Sequence, residues 1–427
     1  MKLFPLAIGC ALACCAFFPR AAVAEKPFEI DVVDAATGRG VPLVELETMD
    51  NRLYVTDSAG RVAFDEAGQM GVPVWFSMRS HGYEFPTDGF GMTGMRFTPR
   101  LGEKAVVKAK RLNIAERVVR LTGQGIYRDT VLLGEKPPLA EPLTNGGVVG
   151  QDSVQTAIYK GRIFWLWGDT MRMAYPLGNF RTACAWSELP SKGGLPPSKG
   201  ADLHYYVGKD GFAKEMCPLE KEEGVVWLFG LCVRVPARLE DVLDPASYEA
   251  WTCAGKLVPR RKPNGALDFA WRKDAPPIES QEEAKWLKLG VIKPEECRVL
   301  PEDATTKERV ALHEGSVCWN EHRKRWVLIA VQQFGKPSFL GEVWYAESAA
   351  PTGPWKRAVK ILTHDKYSFY NPSQHAFFDE DGGRTIYFEG TYSHTFSGRE
   401  LRTPQYDYNQ ILYRLDLADP RLKDVQE

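Results

Sequence analysis

The sequence predicts an all-β fold, in which a small β-sandwich precedes a β-propeller. Aromatic residues are abundant, with 12 Trp, 16 Tyr and 21 Phe among 427 residues, and they fall in short apolar runs. Turns rich in Gly and Pro, of which there are 38 and 29, separate these runs, and this pattern favours strands over helices. Beyond residue 150, units of one hairpin plus a further strand recur, and such repetition is typical of propellers.

The first 24 residues are predicted to be a secretory signal peptide. Lys2 gives a positive start, residues 3–18 are apolar, and residues 22–24 form an A-x-A motif for cleavage after Ala24. The mature protein is therefore expected to be secreted or periplasmic. A membrane anchor and a lipoprotein are the alternatives, but the apolar run is short and its cysteines lack the usual surroundings of a lipoprotein signal. No other segment is apolar enough to span a bilayer.

Charge and missing motifs exclude several classes of function. The 54 Lys+Arg and 55 Asp+Glu leave a net charge of −1, so no global basic field exists for nucleic acid. The chain lacks a Gly-x-Ser-x-Gly motif, a P-loop, a Rossmann turn and a His-Glu-x-x-His motif. No cofactor or metal site is expected, apart from a structural calcium ion at a carboxylate-rich propeller axis. Six cysteines follow the signal and permit disulfides without fixing their pairing, and the oligomeric state stays open.

The sandwich is predicted over residues 25–112. Short alternating runs at 28–33, 41–46, 61–64 and 72–78 are separated by turns. Strands of this length and spacing indicate a small sandwich with its own core.

Part of this region resembles the transthyretin-like, carboxypeptidase-regulatory-type domain. The resemblance rests on Val33-Asp34-x-x-Thr37-Gly38-x-Gly40-Val41-Pro42, then Thr56-Asp57-Ser58-x-Gly60, then Gly82-Tyr83. It implies an accessory module beside a catalytic domain. Since no reactive constellation lies in this module, the two parts are predicted to be separable.

Residues 113–140 are predicted to be a connector, because their prolines disfavour a continuous helix. The propeller is predicted over 141–427, with a helical insertion near 276–300. Its repeats are predicted at 152–167, 225–230, 314–330 with 342–355, 371–389 and 410–415.

The first hairpin gives the sharpest clue to a reactive site. Its turn is centred between Lys160 and Gly161, so reflection about that point places Asp152 opposite Asp169. Both carboxylates then leave the same end of one hairpin. If the hairpins are arranged radially, the corresponding ends of later units meet at one mouth of the central channel. Those later ends carry His313, Glu314, Asn371, Gln374 and Glu389.

A mouth lined by carboxylates and aromatic rings suits a carbohydrate, since carboxylates act as acid and base while rings stack on sugars. The predicted catalytic residues are Asp152, Asp169, Glu314 and Glu389. The predicted substrate-binding residues are Gln151, Trp167, Arg172, His313, Tyr370, Asn371, Gln374 and His375. A structural interpretation stays open for each of them, because strand-end aspartates cap turns and strand tryptophans pack in cores.

The same residues resemble the five-bladed β-propeller glycoside hydrolases, a group of arabinanases, β-xylosidases and fructan-cleaving enzymes, and are most similar to the endo-D-arabinanase branch. The resemblance rests on Gly150-Gln151-Asp152-Ser153, Trp167-Gly168-Asp169-Thr170, Glu314-Gly315 and Tyr387-Phe388-Glu389-Gly390. It implies a five-bladed propeller that cleaves a polysaccharide or oligosaccharide, with Asp152 and Asp169 beside the cleaved bond. The general acid is not fixed, because Glu314 and Glu389 both qualify.

Two alternative functions remain open. A propeller polysaccharide lyase needs a Tyr or His base and a cation that neutralises a uronate, and His313, His375, Tyr370 and Arg172 are available for these roles. A non-catalytic carbohydrate-binding propeller needs no carboxylate chemistry. The sugar, the linkage, endo or exo action and the stereochemical outcome are not predicted.

Overall fold

The structure of the protein is a computed structural model that describes most of the chain between residues 25 and 425. The described residues are 25–179, 181–218, 224, 226–228, 231, 247–256, 258–273, 275–364, 366–398 and 407–425. The predicted signal peptide lies outside them and stays a prediction. Among the described residues there are 26 β-strands and two short α-helices, which confirms the all-β prediction. No helix in this part of the chain is long and apolar enough to cross a membrane.

Residues 28–111 form two four-stranded sheets. Their strands are β1 (Phe28–Asp34), β2 (Glu45–Thr48), β3 (Leu53–Val55), β4 (Arg61–Phe64), β5 (Val74–Arg79), β6 (Tyr83–Glu84), β7 (Gly94–Phe97) and β8 (Lys104–Arg111). The strand orders are β4-β1-β8-β6 and β3-β2-β5-β7. Because side chains alternate between the faces of a strand, Ile30, Phe64 and Phe76 from the two sheets are buried in one core. The two sheets occupy the range predicted for the sandwich.

The later part of the chain adds five more sheets within the described residues. The strands are β9 (Glu116–Arg120), β10 (Val148–Gln151), β11 (Gln155–Tyr159), β12 (Arg162–Trp167), β13 (Thr170–Arg172), β14 (Tyr175–Asn179), β15 (Ala183–Glu188), β16 (His204–Tyr205), β17 (Ala250–Thr252), β18 (Ala270–Arg272), β19 (Glu302–Asp303), β20 (Leu312–Asn320), β21 (Arg325–Gln332), β22 (Val343–Ser348), β23 (Arg357–Leu362), β24 (Ser368–Gln374), β25 (Thr385–Ser393) and β26 (Asn409–Asp416). The helices are α1 (Arg128–Leu132) and α2 (Ser280–Lys288). The strand orders are β10-β13-β14, β11-β12-β15-β16, β17-β18, β19-β23-β22-β21-β20 and β24-β25-β26-β9.

Three of these sheets coincide with predicted repeats. The hairpins β11–β12, β20–β21 and β24–β25 belong to the units predicted from residues 152, 314 and 371. The unit predicted at 225–230 lies partly outside the described residues, and its described part, 226–228, is not in a strand. Helix α2 lies inside the predicted insertion at 276–300. These sheets do not establish five blades, so the five-bladed propeller stays a prediction.

The last sheet is completed by a strand that precedes all the repeats. Strand β9 pairs antiparallel with β26, with Arg120 opposite Ile411 and Glu116 opposite Arg414. Residues 116–120 of the predicted connector, 113–140, thus form a strand of the last sheet. The prolines of that segment lie after β9, and therefore leave its backbone N–H groups free to pair.

The first two sheets are joined to the rest of the protein through Arg117 on β9. Its buried guanidinium donates to the carbonyls of Pro42 at 3.0 Å and His81 at 2.8 Å, and to Ser80 Oγ at 2.7 Å. Apolar side chains of the first part also belong to the core of the later sheets. Removal of the first part would leave these groups without partners, which argues against the predicted separability.

Candidate active site

The hairpin that carries the two aspartates has the predicted register. Strands β11 and β12 pair antiparallel, with Thr156 opposite Trp165. Beyond the strand ends the pairing continues, because the Asp152 amide donates to the Asp169 carbonyl at 3.2 Å and the Gly168 amide donates to the Asp152 carbonyl at 2.8 Å. The two aspartates therefore lie opposite each other at one end of the hairpin, as the reflection about its turn predicts.

A glycine makes this arrangement possible. A Cβ atom on Gly168 would lie 2.3 Å from Asp152 Oδ1, far inside van der Waals contact. Any side chain at position 168 would therefore displace the Asp152 carboxylate. The next residue on the opposite side, Ser153, has a left-handed φ of +54°, and this turn of the backbone separates Asp152 from strand β11.

Two tyrosines hold one oxygen of the Asp152 carboxylate. Tyr408 Oη donates to Oδ2 at 2.6 Å, and Tyr370 Oη donates to the same oxygen at 3.1 Å. Burial raises the pKa of Asp152 to about 6, the tyrosine donors oppose this rise, and the charge of Asp169 adds to it. A carboxyl group with such a pKa exchanges protons near neutral pH, as acid and base catalysts do.

Asp169 is held by a tryptophan from a distant segment. Trp227 Nε1 donates to Asp169 Oδ1 at 2.8 Å. Burial raises the pKa of Asp169, and the hydrogen bond from Trp227 partly offsets that rise. The segment of Trp227 is tied back to β11, since Gln155 Nε2 donates to the Leu228 carbonyl at 3.1 Å. Each aspartate thus has one oxygen fixed by donors that come from elsewhere in the chain.

A cavity of about 220 Å³ opens beside this end of the hairpin. Ser153 and Thr156 line it from the first repeat, Glu314 from β20, and Asn371 and Ser373 from β24. Asn371 Nδ2 donates to Ser153 Oγ at 2.9 Å and so ties β24 to the residue that follows Asp152. Residues of three sheets therefore meet around the cavity, and the predicted site residues Glu314 and Asn371 are among them.

Glu389 lies behind the wall of this cavity. Its side chain is 0 % exposed, and its Oε1 lies 3.1 Å from Nε2 of His375, which is equally buried. His375 Nδ1 lies 3.2 Å from Thr156 Oγ1, and Thr156 lines the cavity. The structure thus brings Glu389 and His375 together but encloses both, so Glu314 is the predicted glutamate that reaches the cavity.

Two of the predicted binding residues are part of the core. Gln151 is 0 % exposed, its amide group donates to Thr170 Oγ1 at 3.1 Å, and its side-chain oxygen accepts from Tyr205 Oη at 2.6 Å. Trp167 is buried and stacks on Trp165, with ring centroids 5.9 Å apart. Both residues support the hairpin from inside and have no exposed face for a ligand.

The remaining predicted binding residues are dispersed. Gln374 is buried at the end of β24. Arg172 stacks over the Phe212 ring, with its guanidinium carbon 4.0 Å from the ring centroid. His313 is exposed and lines a second cavity together with Glu314. The cavity that His313 lines shares Glu314 with the cavity beside Ser153.

Sequence reasoning missed Tyr408 and Trp227, which provide the shortest hydrogen bonds to the two aspartates. Tyr408 directly precedes β26, the strand that the sequence predicts near residues 410–415. Its position at a strand end on the same side as Asp152 was an available signal. Trp227 lies in the run 225–230, which the sequence predicts to be the core of a repeat, yet its side chain is 66 % exposed.

The described residues offer no metal centre. No group of three or more His, Cys, Asp or Glu side chains among them could hold a metal ion, so the structure adds no candidate for the calcium ion considered above. The cysteines within the described ranges are free thiols: Cys184, Cys217, Cys253, Cys297 and Cys318.

Comparison with known proteins identifies no family. No protein-family profile matches the chain, and no curated protein does either. Among solved structures, the chain is similar to a protein from Bacteroides ovatus that is provisionally described as a hydrolase, with 12 % identity, a TM-score of 0.25, and coverage of 86 % of this chain and 93 % of that one. It is also similar to an N-acetylgalactosamine deacetylase from F. plautii solved with blood group B trisaccharide, with 10 % identity, a TM-score of 0.23, and coverage of 91 % and 94 %. At these TM-scores neither likeness carries an argument about fold or activity.

Proposed function

We propose that this protein is a hydrolase that cleaves a glycosidic bond, with Asp152 and Asp169 as its acid and base. One observation carries the proposal. The two aspartates lie opposite each other at a hairpin end, each carboxylate is held by donors from elsewhere in the chain, and Ser153, the neighbour of Asp152, lines a cavity. Pairs of carboxyl groups that differ in environment are the usual acid and base of glycoside hydrolysis.

Asp152 is assigned as the general acid. With a pKa of about 6 it retains a proton on part of the molecules near neutral pH. Tyr370 and Tyr408 both donate to Oδ2, so the proton belongs on Oδ1. From Oδ1 it would pass to the oxygen of the leaving group as the glycosidic bond breaks.

Asp169 is assigned the ionised role, as the base that activates water. The indole of Trp227 donates to Oδ1 and stabilises the charged carboxylate, so Oδ2 is the oxygen that would accept a proton from the attacking water. Glu314 lines the adjoining cavity and is the third carboxylate available to a bound sugar.

The surroundings of the aspartates suit a sugar ring. Trp227 is 66 % exposed beside Asp169, and an exposed indole face packs well against the apolar face of a sugar. Polar side chains of Asn371 and Ser373 line the cavity and can hydrogen bond to hydroxyl groups. With the export predicted by the leader, these features favour an extracellular or periplasmic polysaccharide or oligosaccharide as substrate.

A lyase is less well supported by the same contacts. A tyrosine base needs a lowered pKa, whereas burial and the charge of Asp152 raise the pKa of both Tyr370 and Tyr408 above the ordinary value. The predicted cation, Arg172, is stacked on Phe212. These two observations favour hydrolysis over elimination by a tyrosine base.

A screen of plant, algal and bacterial glycans tests the proposal. New reducing ends, detected chemically and by mass spectrometry, are expected from at least one glycan. An unsaturated product that absorbs in the ultraviolet would identify a lyase instead. Binding without any released product, retained when Asp152 and Asp169 are both replaced by Asn, would identify a non-catalytic carbohydrate-binding protein.

A further inference from the structure

A second cavity, of about 310 Å³, adjoins the start of helix α2 and strands β20 and β21. Its floor is formed by Leu312, Leu328, Ala330 and Trp355, each of which is at most 9 % exposed. Apolar side chains thus line the buried part of a space that is larger than the packing voids of a protein core. A cavity of this size is a candidate ligand site rather than a packing defect.

The two buried polar side chains that line this cavity, Ser280 and Gln333, are engaged with the protein. The Ser280 hydroxyl donates to the Val299 carbonyl. Gln333 Nε2 donates to the Leu312 carbonyl at 3.1 Å, and Gln333 Oε1 accepts from Gln281 Nε2. A polar ligand would find few free partners at the floor, so the cavity favours an apolar ligand.

The cavity is joined to the candidate active site through Glu314. This residue lines both the second cavity and the cavity beside Asp152 and Asp169. Glu279 and His313 at the second cavity are exposed, so its rim is open to solvent while its floor is buried. Glu314 is therefore the residue that a ligand would have to pass to occupy both cavities.

We infer that the second cavity binds an alkyl or aryl group carried by the substrate next to the sugar that is cleaved. The inference rests on the proposed function and adds the substrate class: a glycan or glycoside with an apolar substituent. An apolar cavity of about 150 Å³ binds benzene. A cavity about twice that size accommodates a substituted aromatic ring or a medium-length alkyl chain.

The first experiment measures the binding of n-alcohols, from propanol to octanol, to the wild-type protein by calorimetry. It requires no knowledge of the sugar. Burial of each further methylene is expected to strengthen binding about fourfold until the cavity is full, and longer chains should gain nothing more. An affinity that does not depend on chain length overturns the inference.

Variants locate the alcohol site. Ala330→Phe and Leu328→Trp fill the floor and are expected to abolish the gain from longer chains. Val317→Phe adds similar bulk on the exposed face of β20, away from the cavity, and should leave the gain unchanged. Thermal melting shows which variants are folded. If a folded Ala330→Phe or Leu328→Trp protein still binds longer alcohols more tightly, the alcohols do not bind in the second cavity and the inference is overturned. If neither variant folds, the dependence of wild-type affinity on chain length is the test.

The second experiment links the cavity to catalysis with alkyl glycosides of the sugar that the glycan screen identifies. Their kcat/KM is expected to rise about fourfold per methylene over the same range of chain length. If kcat/KM does not change with alkyl chain length although the protein binds alcohols, the second cavity does not hold part of the substrate. Alcohol binding by a protein that cleaves no glycan refutes the proposed function but supports the apolar site, so the two failures are distinguishable.

Discussion

Tyr408 donates a hydrogen bond of 2.6 Å to Asp152 Oδ2 although the two residues are 256 positions apart in the sequence. The backbone fixes this tyrosine as well, since the Gln151 amide donates to the Tyr408 carbonyl at 2.6 Å. The last strand of the fold thereby positions the carboxyl group that we assign as the general acid. The hydrogen bond also stabilises the ionised form of Asp152 and so opposes the rise in the pKa of that carboxyl group.

Tyr408→Phe is expected to move the alkaline limb of the pH–rate profile to higher pH. The hydroxyl group favours the charged form of Asp152, and its loss therefore raises the pKa of a group that must be protonated to act. A hydrogen bond to a charged group corresponds to a shift of about one pH unit. The measurement is kcat/KM against pH. Tyr127→Phe, which loses a hydrogen bond to the Lys199 carbonyl, is the matched control, and equal profiles for both variants would refute the assigned contact.

Asp152→Asn is expected to stabilise the protein above pH 6. The folded-state pKa of about 6 exceeds the ordinary value of 3.8, so the native state binds more protons than the unfolded state between about pH 4 and pH 6. Wild-type stability therefore falls as pH rises through this window. Asparagine cannot ionise, and the variant should gain about 3 kcal/mol over wild type at pH 7.

Urea unfolding of both proteins at several pH values from 4 to 8 checks this gain. The stability difference should be small at pH 4, grow to pH 6 and then level off. A difference that is constant across the range would show that the pKa of Asp152 is not raised by folding. The amide of asparagine can still accept hydrogen bonds from Tyr370 and Tyr408, so the comparison isolates the charge.

The two glutamates that the sequence leaves equivalent are expected to behave differently. Glu314→Gln alters a group that lines both cavities and should lower kcat/KM by about 10- to 100-fold, because a hydrogen bond between a sugar hydroxyl and a charged group is lost, with little change in melting temperature. Glu389→Gln alters a fully enclosed group paired with His375 and should lower the melting temperature while turnover per folded molecule is kept. The measurement is kcat/KM and melting temperature for both variants. If Glu389→Gln loses activity without losing stability, while Glu314→Gln does the opposite, Glu389 is the residue that contacts the substrate.

Arg117→Met is expected to destabilise the whole protein. The carbonyls of Pro42 and His81 lose their buried donor, and each unsatisfied group costs about 1–3 kcal/mol. Arg384→Met removes an exposed ion pair with Asp416 and should cost less than about 1 kcal/mol. Urea unfolding compares the two variants. If Arg117→Met lowers the free energy of unfolding only slightly, the result would support the prediction that the first two sheets are separable from the rest.

The pairing of Asp152 with Asp169 could be predicted because it is local. Lys160 and Gly161 both have positive φ angles, 49° and 78°, as a two-residue type I′ turn requires, and such a turn fixes the register of its hairpin. Counting outward from the turn therefore works as far as the aspartates. The same local logic explains why the all-β class could be predicted from short runs and turns.

The position of Glu389 could not be obtained by the same counting. Glu389 lies opposite Ser373 on β24 and opposite Leu412 on β26, so its strand is an interior strand of the sheet. Whether a side chain of such a strand is enclosed depends on what packs on each face of the sheet, and local counting does not give this. Tyr408 and Trp227 were missed for a different reason: their partners are 256 and 58 positions away, and such contacts depend on how the sheets assemble.

The turnover of Asp169→Asn on the glycan that wild type cleaves is the most direct test of the central claim, that the paired aspartates are the reactive centre. The substitution keeps size and hydrogen bonding but removes the charge needed to activate water. The proposal predicts a melting temperature close to that of wild type and a rate about 100 to 10,000-fold lower. A folded Asp169→Asn protein with near-native turnover would contradict it and show that this hairpin end is a structural turn.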